Sequence, residues 1–154
     1  MSARSASPPP HHSIQALTSG LVGTPFVVGV REPGVALDCL GAALSVLERL
    51  GLRRPGPPDG PGAFHAPLGP GLSCGLPGGL ARVATGGLPP EPRLGDLLLL
   101  HDPTTPGAVG VAVVVSAEGR SPLLLTANSE RGCFTVPSRA VRGIEACYRV
   151  EATP

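Results

Sequence analysis

The chain of 154 residues contains no lysine and no tryptophan. All twelve basic residues are arginine, set against eleven acidic ones, and the formal net charge is only +1. So even a balance gives no polyanion-binding surface, and nucleic acid is not an expected partner. Aromatic residues make up 3% of the chain, too few for the stacking platforms that hold bases or sugars. No apolar run approaches the roughly 18 residues that a bilayer-crossing helix requires. Residues 1–12, rich in Ser, Pro and His, lack the apolar segment of an export signal. The expectation is a chain with no membrane insertion and no signal peptide of its own.

Four cysteines, Cys39, Cys74, Cys133 and Cys147, are spaced widely, with no C-x-x-C pair and no histidine at ligand spacing. No zinc site is expected from that pattern, and no metal or cofactor. Buried free thiols are the expected state, because a Cys133–Cys147 disulfide requires their two strands to be neighbours. "GLPGG" and "GAVGV" lack the lysine of a phosphate loop. No pair of carboxylates is placed for glycosidase chemistry.

What the chain does have is glycine and proline, 22 and 20 residues, together with a 42% hydrophobic fraction and a positive mean hydropathy of +0.22. The two fit together if the turn formers are gathered in loops while an aliphatic core of Leu, Val and Ala is buried. Residues 13–150 then form one domain between a flexible tail at 1–12 and a short one at 151–154. Residues 53–93 read as a Gly/Pro-rich loop region whose helical candidate is "LPGGLARVA", 76–84. His11 and His12 fall in the tail and His65 in this loop, where solvated roles are expected.

Periodicity places two helices before the loop region. "SIQALTSGLV", 13–22, carries Ile14, Leu17, Leu21 and Val22 at helical spacing behind an N-cap serine. "GVALDCLGAALSVLERLGL", 34–52, carries Leu40, Ala43, Leu44, Leu47 and Leu50 as an apolar stripe, with Asp38 to cap the first turn and Gly51 to end the last. Cys39 therefore opens the second helix, where unpaired amides and the dipole favour a thiolate. From Leu94 the period changes: "DLLLL", "AVGVAVVVS", "PLLLTA", "CFTVP" and "IEACYRV" are five strand-like segments separated by turn chemistry. Helices first and a five-stranded antiparallel meander afterwards is an α+β pattern. The unbroken apolar runs at 97–100 and 109–115 predict central strands covered on both faces.

"GTPF" at 23–26, "LDCLG" at 37–41, "LGDLLLL" at 94–100 and "AVGVAVVV" at 108–115 resemble, in that order, the NlpC-type (NlpC/p60) cell-wall cysteine peptidases. The resemblance spans residues 14–150. It implies a papain-like fold in which a cysteine-bearing helix packs on the sheet. It also implies cleavage of peptide bonds in bacterial peptidoglycan, and a place in phage and phage-like tails, which often carry such a domain. Matched position by position, the nucleophile falls on Cys39, preceded by Asp38 as the family usually has. The base histidine falls on Ala108, and the residue that orients the base falls on Thr126. Leu40 stands where the family has a serine, and Phe26 where it has the tyrosine lining the cleft.

Of that polar constellation only the thiol is left, and the resemblance then implies a degenerate member: a structural or adaptor component whose partners are other protein subunits of a tail or envelope-facing assembly, or peptidoglycan peptides. Such a chain is made in the bacterial cytoplasm and carried in a virion or tail-like particle. The alternative is an active endopeptidase in which His101, across the hairpin from Ala108, substitutes as base. Its facing is open at this stage, because a one-residue change of register turns a strand side chain to the other face.

Overall fold

The computed structural model describes residues 13–27, 30–52, 64–69, 72–76, 78–101 and 109–151, with the backbone alone for 64–76, His101 and Val109. The expected tail at 1–12 and residues 152–154 of the tail expected at 151–154 lie outside the described residues, as do His11, His12 and Ala108.

Helix α1 (Ile14–Thr18) is shorter than the spacing predicts. Ser13 caps it, its Oγ accepting the Ala16 N–H at 3.0 Å. The Thr18 hydroxyl turns back onto the Ile14 carbonyl at 2.8 Å, and Arg49 donates to the carbonyls of Leu17 and Ser19 at 3.2 and 2.6 Å. These bonds finish the helix at Thr18, leaving Leu17 and Leu21 buried while Ile14 and Val22 face out. A short hairpin, β1 (Arg31–Glu32) and β2 (Ala36–Leu37), leads into helix α2 (Cys39–Arg49).

Both ends of α2 are fixed as the sequence predicts. The Asp38 carboxylate accepts the Gly41 N–H at 2.6 Å. At the other end Gly51 takes a left-handed φ of +70°, with Gly51 N–H donating to Glu48 and Leu52 N–H to Leu47, the paired bonds that close a helix on glycine. Its buried stripe is rotated from the expected one. Gly41, Ala42, Ala43, Val46 and Leu47 are buried, whereas Leu40, Leu44 and Leu50 only pack against the cluster from its margin. The small Ala42 and Ala43 join the cluster with Val46 and Leu47, and the larger leucines lie at its margin.

The sheet departs from the expected five-stranded meander in two ways. It has six strands in the order β5-β10-β6-β7-β8-β9, built from β5 (Leu80–Thr85), β6 (Leu97–His101), β7 (Val109–Ser116), β8 (Leu123–Asn128), β9 (Gly132–Pro137) and β10 (Ile144–Val150). All its pairings are antiparallel. The expected helix at 76–84 is therefore corrected to a strand, β5. Gly79 at φ +90° cannot start a helix cheaply, and the residues after it pair with β10 from Leu80 to Thr85.

The second difference is the place of β10. It returns past the meander to lie between β5 and β6, because the outer edge of β9 is already in use. There Gly23 N–H donates to Cys133 O at 2.8 Å and Cys133 N–H to Thr24 O at 2.9 Å. Residues 53–93 are likewise more than loop. A two-stranded antiparallel hairpin, β3 (Phe64–Gly69) and β4 (Leu72–Leu76), stands there, with His65 on β3 opposite Gly75.

The central strands are covered on both faces, as their apolar runs predict. Leu97, Leu99, Val111, Val113, Val115 and Leu125 join Leu17, Leu21, Ala43, Val46 and Leu47 in one cluster. Leu98, Ala112, Val114, Leu124 and Cys147 form the other. Truncating a side chain such as Leu47 in a core of this kind costs about 2–5 kcal/mol.

Candidate functional site

Cys39 is the first residue of α2, half-buried, and packs against the cluster between that helix and the sheet. Three local features set its environment. The helix terminus supplies unpaired amides, which favour a thiolate. Asp38, one residue before, turns its carboxylate into the same turn. Arg31 of β1 lays its stem over Gly41 and brings its Nε to 3.9 Å from the Asp38 carboxylate. A Cβ on residue 41 would lie 2.8 Å from Arg31 Cγ and 3.0 Å from Asp38 Oδ1, so glycine is what lets Arg31 cross the first turn.

The net effect on the thiol is the opposite of activation. Burial pushes the Cys39 pKa above its ordinary value, a hydrogen bond from the Val111 main chain works against that, and the Asp38 charge adds to the rise. Desolvation prevails because a thiolate moved out of water needs a cation or several donors to recover its hydration. Here one amide outside the helix answers it, beside a carboxylate of like charge.

Thr126 lies on β8, buried, and its hydroxyl donates to the Val111 carbonyl at 2.8 Å. By the alternation of the strand it leaves β8 on the Leu124 side, while Leu125 and Ala127 join the cluster under α2. His101 ends β6 with Val109 as its partner in register, and Ala108 is outside the described residues. Phe26 forms a parallel bridge with Leu37 and is half-buried against the same cluster as Cys39.

Cys39, Asp38 and Phe26 are therefore gathered around the start of α2, while Thr126 leaves the sheet on its other face. Two participants are absent from the sequence reading, Arg31 and the Val111 main chain. Gly41 is the letter that could have pointed to Arg31. A main-chain donor has no letter of its own.

The two other thiols whose side chains are described are structural, and the Cys74 side chain lies outside the described residues. Cys133 and Cys147 are free. They sit on opposite faces of the sheet, on strands separated by β6, β7 and β8, which rules out a bond between them. Burial raises Cys133 to about 11 and Cys147 to about 12. Among the described residues no group of three or more His, Cys, Asp or Glu side chains is placed to hold a metal ion. Nor, among them, is any helix long and apolar enough to cross a membrane.

Comparison with known proteins gives little. No family model matches the chain, and no curated protein matches it. Among solved structures, a lipoprotein-like protein of the NLP/P60 family from Staphylococcus aureus is similar, with 18% identity and a TM-score of 0.48 over 91% of this chain. The chain spans 42% of that protein's length.

Proposed function

We propose that the chain is a degenerate NlpC-type domain, a former peptidoglycan-peptidase scaffold that serves as a structural or adaptor subunit of a phage-tail-like or envelope-facing assembly. The observation that carries the reading is the state of the thiol. Cys39 occupies the nucleophile position of the resemblance, yet burial and the Asp38 charge push its pKa up, away from the thiolate such chemistry needs. The hydroxyl at the base-orienting position, Thr126, is spent on a main-chain carbonyl. A cysteine nucleophile needs a neighbouring base to take its proton and return it to the leaving amine. Ala108, at the base position, has no group to do so.

Incubated with peptidoglycan stem peptides, the purified chain is expected to release no more product than a Cys39→Ala control. Losing a triad member costs on the order of a thousandfold, about 4 kcal/mol of transition-state stabilisation. Cleavage abolished by Cys39→Ala overturns the proposal.

The register of His101 favours one second reading, an active endopeptidase in which this histidine replaces the missing base. Alkylation of Cys39 at neutral pH separates the two. Slow labelling that is equal in the wild type and in His101→Ala is the expected result. Fast labelling that slows in the variant supports the second reading.

A further inference from the structure

We draw no further inference here: the strongest candidate, the outer edge of the sheet at β5 with the exposed Arg82 in its middle, is broken by the bulge at Val83, and nothing in the structure shows what covers it.

Discussion

Asp96 and Cys39 are two acidic groups taken out of water beside the same strand, Asp96 next to Val114 and Cys39 next to Val111, and the fold treats them differently. Asp96 is fully buried and fully answered. Arg149 meets it with two parallel bonds, Nε to Oδ1 and Nη2 to Oδ2, each at 2.8 Å, and the Arg93 N–H adds a third at 2.9 Å. Cys39 is less buried, but it is faced by main-chain amides alone, of Val111 and of its own first turn, and its charged neighbour is a carboxylate. Depth of burial therefore does not decide which group is ready to carry charge. The partners do, and here they have been kept for the group that holds β10 to β6 and withheld from the one at the old nucleophile position.

The largest effect follows from breaking the first member of this comparison. Asp96→Ala leaves the half-exposed Arg149 guanidinium and the Arg93 amide without their acceptor. Losing charge-assisted hydrogen bonds of this kind costs about 1.5–3 kcal/mol, since the guanidinium left behind can still reach water. Urea unfolding is expected to show that loss, with the unfolding slope unchanged if β10 stays docked. A loss under about 1 kcal/mol would mean that the pair is a surface ornament, which is the usual worth of an exposed ion pair.

A loss of the same order, reached by pH instead of mutation, belongs to the thiols of the core. Cys133 and Cys147 titrate near 11 and 12 in the fold against an ordinary 9.0. Between those limits the unfolded chain has released protons that the folded one still holds, so stability falls as pH rises, and below about 9 the thiols contribute none of this dependence. Each pH unit in the window is worth about 1.4 kcal/mol per thiol. The absence of lysine makes the measurement clean, since the alkaline range holds only four thiols, one tyrosine and the amino terminus. Urea midpoints taken from pH 8 to 11 are expected to fall, and Cys147→Ala to flatten the slope. A midpoint that is level across that range would show that the buried thiols keep their ordinary values.

Local and non-local determinants explain what the sequence made legible. Helix α2 with its Asp38 cap and Gly51 stop could be read because every contact that defines its ends lies within a few residues. The strands of the β6 to β9 hairpins could be read because their turns are local too. β5 could not. Leu80, Val83 and Ala84 have helical spacing, and it is pairing with β10 far along the chain that makes them a strand. The position of β10 was hidden for the same reason, since it depends on Gly23 and Thr24 closing the edge of β9. At the site, Cys39 and Asp38 were visible as letters. The Arg31 contact was not, because it depends on β1 folding back over the first turn of α2.

The smallest expected effect sharpens the second member of the comparison. Asp38→Asn keeps an N-cap of equal quality, as asparagine accepts the Gly41 N–H as well as aspartate does, but it removes the charge that raises the Cys39 pKa. Stability is expected to change by no more than about 0.5–1 kcal/mol, the worth of one negative charge at a helix N-terminus together with a long, exposed contact to Arg31. Reactivity is expected to move the other way. Cys39 should alkylate faster at neutral pH in the variant, with its midpoint lowered, while Cys133 and Cys147 stay protected. Because burial is the larger cause of the rise, the gain should be modest and the thiol should remain mostly protonated at pH 7. If Asp38→Asn brought Cys39 to full reactivity there, a single carboxylate and not the closed environment would be what keeps it silent, and the scaffold would stand one substitution from a working nucleophile.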